Sequence, residues 1–269
     1  ANEKRESTIA DAFRGIIRNP ATADDYSSML NRAGFYDDSS YTVISLSILR
    51  KSVSITESVV RTTDMSLWRM LKKSGNHSSL FMKEGDLVAV RQNCSEEEIV
   101  MFCELLRPIA EQSADTEIYI GVSESVRGFA EISQAYEQSY AAMLTGRIKG
   151  KEHVFYRDIG LMKLIFGVKD KMILSSFAEE NLGVLHRYDS EKNTDYCSVL
   201  RKYLELNGSV LEAAAETGVH RNTINYKIRA IREILGRELD DHTKSMLMLA
   251  YLIEDVLDIY DNLNGGNKQ

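Results

Sequence analysis

Eight side chains within ten residues, His220, Arg221, Asn222, Thr223, Asn225, Tyr226, Lys227 and Arg229, are of the types that hold a nucleic-acid duplex. An arginine can bridge guanine O6 and N7, an asparagine can pair with adenine, and Thr, Tyr and helix N-terminal amides can hold phosphates. Between them Ile224, Ile228, Ile231 and Leu235 recur every three or four residues, so the segment reads as a helix with its apolar stripe turned inward. The polar set then faces outward. Arg221, Asn222 and Asn225 are expected at base edges, and His220, Thr223, Tyr226 and Lys227 at flanking phosphates; Arg229, a turn further along, suits either.

Charge distribution agrees. Between Gly218 and Arg237 five cations face one carboxylate, Glu233, whereas the whole 269-residue chain carries 33 Lys+Arg against 40 Asp+Glu, a formal charge of -7. A short basic segment inside an acidic protein is the footprint that phosphate contact requires. A helical pair whose polar face simply meets water is the plainer alternative, and spacing alone leaves it open.

Such a helix needs elements that hold it. Two helices crossing at a large angle over a three- or four-residue turn need a small residue where they meet, a glycine at the turn and an apolar anchor in the second helix. Ala214, Gly218 and Ile224 occupy those places, with Val219 beneath the turn. The pattern predicts helices over 195–206, 210–217, 221–235 and 242–258, and a disordered tail from Asn264 to Gln269.

Upstream the periodicity changes. The first forty residues predict a polar helix over 6–18 and a second over 23–33 ending at Gly34. From Tyr41 the β-rich run YTVISLSILRK predicts a buried strand, followed by a helix over 64–73 capped by Asp64, then a hairpin in SLFMKEGDLVAVRQ. A helix from Ser95 to Gln112, a strand at Ile118 to Val122, a helix carrying Phe129, Tyr136, Tyr140 and Met143, and a short strand at 153–156 complete a β-α-β-β-α-β-α-β order. Tyr136 and Tyr140 read as packing residues rather than base-stacking ones.

Other chemistries lack their minimal residues. His77, His153, His186, His220 and His242 fall in separate elements, with no His or Cys pair at ligand spacing, so no metal is expected. Neither a phosphate loop, a dinucleotide fingerprint nor a hydrolase elbow occurs, and no cofactor is expected. The three cysteines, Cys94, Cys103 and Cys197, form no C-x-x-C pair, which excludes a disulfide scaffold and suits a reducing cytoplasm. Cys103 sits on an apolar helical face and reads as a buried small residue. The longest apolar run, near Val43 to Leu49, is far short of the roughly 18 to 20 residues of a membrane span. Because the chain opens at Ala1, a processed chain or a fragment of a longer protein is expected.

The stretch LRKYLELNGSVLEAAAETGVHRNTINYKIRAIREILGRELDD, from Leu200 to Asp241 with its Gly-Val-His-Arg-Asn-Thr core at 218–223, resembles the PucR/CdaR transcriptional regulators, a family named for purine-catabolism and sugar-diacid control. Residues 182–195 and 246–253 are similar to that family's flanking pattern. Lys227 stands where the family usually has arginine, which keeps the charge and loses the bidentate fork. The family often carries a degenerate relative of the GGDEF nucleotidyl-cyclase domain ahead of this module, and the β-α-β-β-α-β core from Tyr41 to Tyr156 is similar to it. Cyclases hold divalent metals on carboxylates of the first strand and the hairpin. Here the first strand, Thr42 to Leu49, has no acid, and the hairpin offers Glu84, Gly85 and Asp86, expected as a solvated tip.

The expected architecture is α+β: an N-terminal helical segment (1–40), a ferredoxin-like, degenerate cyclase-like domain (41–158), a helical linker (159–194) and an all-α helix-turn-helix domain (195–269). The resemblance implies a cytoplasmic, metabolite-responsive regulator that binds a double-stranded operator as a homodimer, with a small-molecule effector and no membrane. The alternative is a nucleotidyl cyclase or cyclic-nucleotide enzyme with a regulatory helical domain; a non-catalytic nucleotide- or metabolite-binding middle domain lies between them.

Overall fold

The computed structural model describes residues 2–50, 78–111 and 116–265. It comprises two compact units, Ala1–Lys163 and Leu164–Gln269. The helix expected over 64–73 lies outside the described residues.

In the first unit, α1 (Asn2–Arg18) and α2 (Ala23–Ala33) precede β1 (Ser40–Arg50), and β2 (Ser78–Lys83) and β3 (Asp86–Gln92) form the hairpin. Then come α3 (Glu96–Glu111), β4 (Thr116–Val122), a two-residue β5 (Val126–Arg127), α4 (Ile132–Lys149) and β6 (His153–Phe155). The sheet order is β2-β3-β1-β4-β6, with β5 pairing with β1. β1 runs antiparallel to β3 and β4, and β6 parallel to β4. The four strands β2-β3-β1-β4 have the ferredoxin-like arrangement.

Alternation along the strands gives the sheet two buried faces. Val43, Val88 and Val90 point to one, where they meet Phe13 and Ile16 of α1 and Ile132 and Ala135 of α4. Ile44, Leu46, Ala89 and Ile120 point to the other, against Ile99, Phe102 and Cys103 of α3. Cys103 is buried as expected. Tyr136 is also buried and stacks on Tyr140, with centroids 5.8 Å apart. α1 is not the polar helix expected: Ile9, Phe13, Ile16 and Ile17 recur along one face and enter the core. α2 ends as its sequence dictates, at Gly34 with φ of 96°.

Where α4 crosses β4, Gly121 lies directly against the helix backbone at Ser139 and Met143. The missing side chain is what permits that approach.

α5 (Met162–Gly167) leads to a second unit that is entirely helical: α6 (Lys171–Lys192), α7 (Tyr196–Glu205), α8 (Val210–Thr217), α9 (Arg221–Leu235) and α10 (Asp241–Gly265). Leu182, Leu185, Leu200, Tyr203, Ile224, Ile228, Ile231, Leu247 and Ala250 form its core. No helix among the described residues is long and apolar enough to cross a membrane.

Candidate nucleic-acid interface

Local chemistry sets both ends of the α8–α9 pair. Ser209 caps α8, its side chain accepting the Glu212 amide, and Gly218 ends it at φ of 68°, a conformation that costs glycine little. His220 caps α9, its Nδ1 accepting from the Asn222 amide at 3.2 Å. Ala214 and Val219 pack against the core beneath the turn, while Ile224 and Ile231 are fully buried. This burial fixes the rotation of α9. Arg221, Asn222, Thr223, Asn225, Tyr226 and Arg229 are exposed, Tyr226 at 68%.

The cations separate into two groups. Lys227 Nζ lies 2.6 Å from both carboxylate oxygens of Asp195, and its side chain is only 19% exposed. Arg237 donates to the backbone oxygen and Oδ1 of Asn181, and Arg232 pairs with Glu238 at 3.6 Å. Arg229 makes only a long 3.4 Å contact with Glu233 one turn on and remains 82% exposed. Arg221 has no ion-pair partner among the described residues. The basic segment therefore presents its exposed charge along one edge, from Arg221 to Arg229. Its remaining cations tie the domain together.

Asp195 was invisible to spacing arguments, since 32 residues separate it from Lys227. So was Asp189, which receives the Tyr196 and Cys197 amides and the Thr194 hydroxyl. Burial works against that carboxylate, yet these hydrogen bonds hold its pKa below the usual range. Arg201 adds a bidentate pair with Asp255 at 2.8 and 2.7 Å, joining α7 to α10. Cys197 Sγ lies 3.3 Å from His186 Nδ1, but burial, with the Asp189 and Glu254 carboxylates, pushes the thiol up to about 12. A thiol so held is no nucleophile near neutral pH.

The first unit's hairpin departs from the solvated tip expected of it. Glu84 and Gly85 form the two-residue turn, both at positive φ, while Asp86 is buried. Burial raises its pKa from 3.8 to about 6, against a hydrogen bond from Ser47 and the charge of Arg147. The β1 residues on this face are Ser45, bonded to Ser139 at 2.7 Å, and Ser47. One buried carboxylate with hydroxyls and a guanidinium beside it, and Glu84 exposed and paired with Lys83, do not make a divalent-cation site, which needs several anionic oxygens. The residues do not fit the cyclase metal, and the domain is degenerate in that sense.

Asp86 gives a pH prediction. Between about pH 4 and pH 6 the folded chain keeps a proton on this group that the unfolded chain has lost, so its contribution to stability falls as pH rises through that window and is flat above it. Asp86→Asn should therefore stabilise the first unit near neutral pH by up to about 3 kcal/mol, with the gain shrinking toward zero near pH 4. Urea denaturation at the two pH values checks this; a variant less stable than the parent at neutral pH contradicts it.

Residues 196–253 match the PucR C-terminal helix-turn-helix domain, and residues 18–143 match a GGDEF-like domain. The chain is 25% identical over 146 residues to the proline-responsive transcriptional activator PutR of Bacillus subtilis (strain 168), covering 53% of this chain and 36% of that protein. It is 22% identical over 111 residues to the DNA-binding transcriptional activator AdeR of the same organism, covering 40% of this chain and 26% of that one. The matched regions thus span about a third or less of those relatives' lengths. The crystal structure of the regulator of polyketide synthase expression from Bifidobacterium adolescentis aligns with 92% of this chain and 97% of its own, at a TM-score of 0.43 and 18% identity. The chain thus carries a GGDEF-like domain followed by a PucR C-terminal helix-turn-helix domain.

Proposed function

We propose that the chain acts in the cytoplasm as a metabolite-responsive regulator and that its second unit lays α9 in the major groove of an operator. The observation that carries this reading is the exposed edge of α9, where Arg221, Asn222 and Asn225 face solvent at the helix start while Ile224, Ile228 and Ile231 anchor the other side. Arg221, Asn222 and Asn225 meet base edges, whereas Thr223, Tyr226 and Arg229 hold phosphates. His220 contributes chiefly by capping the helix. Lys227 reaches a phosphate only by leaving Asp195.

A homodimer suits this reading, because one recognition helix reads only a few base pairs and paired helices about 34 Å apart read two half-sites. PutR and AdeR are both named as activators, which supports positive control here. We assign catalysis no part, because Glu84 beside Asp86 is exposed and paired with Lys83, and the first strand, Thr42 to Leu49, has no acid.

The test uses an operator selected from a random duplex pool by the full chain. Arg221→Ala should weaken operator binding by about 1 to 3 kcal/mol and relax preference at one base pair. Arg229→Ala should weaken all sequences alike and reduce the salt slope by about one. Both variants should melt as the parent does. Unchanged affinity in both would mean that α9 does not dock in the groove.

A further inference from the structure

In the first unit a cavity of about 420 Å³ opens between α1, the β2–β3 hairpin and α4. That volume suits a small metabolite. Its apolar wall is built by Ile17, Met82 and Tyr136. Most of the charges around it are already committed. Arg14 donates to the Met82 backbone oxygen and to Asp11, and Lys83 pairs with Glu84 while lying 4.7 Å above the Tyr136 ring.

Two are not. Arg18 and Glu137 both line the cavity and both are exposed, and neither has an ion-pair or hydrogen-bond partner among the described residues. They come from different elements, the last turn of α1 and the second turn of α4. An unpaired guanidinium and an unpaired carboxylate facing one cavity, with an aliphatic and aromatic wall beside them, match a molecule with three features: an anionic end, a cationic end and an apolar body.

We infer that this cavity binds a free α-amino acid with an apolar side chain. The ligand's carboxylate meets Arg18, whose planar fork suits it, and its ammonium meets Glu137. The side chain lies on Ile17, Met82 and the Tyr136 ring. A simple organic acid would leave Glu137 facing its carboxylate, and a simple amine would leave Arg18 unsatisfied, so the paired charges select a zwitterion by penalising either half alone. The inference gives a chemical class to the effector of the metabolite-responsive reading and rests on that reading only for its regulatory consequence. Binding itself is scored without DNA.

The full chain is first screened by thermal melting against the common proteinogenic L-amino acids, and hits are titrated by calorimetry. L-leucine is compared directly with 4-methylpentanoate, which lacks the amine, and with 3-methylbutylamine, which lacks the carboxylate. The expected result is saturable binding of at least one apolar L-amino acid, weakened more than about tenfold by Arg18→Gln and by Glu137→Gln, both surface changes that leave the melting temperature of the free protein unmoved. Each half-analogue should bind more weakly than L-leucine by a similar factor. No binding by any amino acid overturns the inference. So does binding indifferent to both substitutions, or a half-analogue that binds as well as the zwitterion. Operator affinity measured in parallel, without amino acid, separates failure of this site from failure of the DNA-binding reading.

Discussion

Gly121→Ala is expected to prevent the first unit from reaching its native packing. A Cβ at this position would fall inside contact distance of the Ser139 carbonyl oxygen and the Met143 amide nitrogen, and 2.8 Å from Met143 Cα. All three are backbone atoms of α4, so no side chain can rotate aside. Relief requires the whole helix to lift from the sheet, which would separate the Ser45–Ser139 pair and open the cluster around Ile132 and Ala135. Overpacking a core typically costs about 1 to 3 kcal/mol when side chains can adjust. Here the cost should exceed that, a large share of the roughly 5 to 15 kcal/mol that holds a domain together. Gly167→Ala is the control, because a Cβ there meets nothing within 4 Å. Denaturant unfolding should show the first unit's transition lost or strongly shifted in Gly121→Ala and unmoved in the control. A Gly121→Ala chain that unfolds with the parent would mean that α4 does not lie so close to β4.

Ile224→Ala should act in the second unit with comparable force. Ile224 is fully buried among residues that include Leu200, Ile228 and Leu247. Truncation to alanine in such a site costs about 2 to 5 kcal/mol, through lost burial and the cavity left behind. The same side chain fixes the rotation of α9, so binding to every duplex, specific or not, should weaken with the loss of stability. Arg221→Ala should change selectivity at unchanged melting; Ile224→Ala should lower melting and degrade all sequences together. Melting curves paired with operator and random-duplex titrations separate the two. An Ile224→Ala chain with the parent's melting temperature would show that this residue does not anchor the helix.

The helix-turn-helix was legible because its determinants are local. Gly218 sets the turn, and Ile224, Ile228 and Ile231 set the buried face, all within a few turns; the caps Ser209 and His220 went unread, His220 being assigned to a phosphate instead. The β2–β3 hairpin was legible for the same reason. Asp86 was misread because whether a carboxylate beside a tight turn meets water is decided by neighbours far along the chain, here Ser47 on β1 and Arg147 on α4. The pairing of Asp195 with Lys227 is likewise a tertiary fact with no local signal. The burial of α1 is a different case. The recurrence of Ile9, Phe13, Ile16 and Ile17 is an amphipathic pattern, present in the sequence and outweighed there by the polar residues between them.

The Asp195–Lys227 contact also bears on how quickly such a protein could find its target. Any regulator meets an enormous excess of irrelevant duplex, and each cation that displaces a counterion there lengthens its stay at the wrong place. Lys227 holds its charge against Asp195, so if α9 docks as proposed, a chance encounter would be held chiefly by the Arg221–Arg229 edge, and the dwell on random sequence would be shorter than the count of basic residues suggests. Residence on the operator would depend far less on it, because there the proposed base contacts supply the difference. On the proposed docking, a single carboxylate would trade grip everywhere for speed of search.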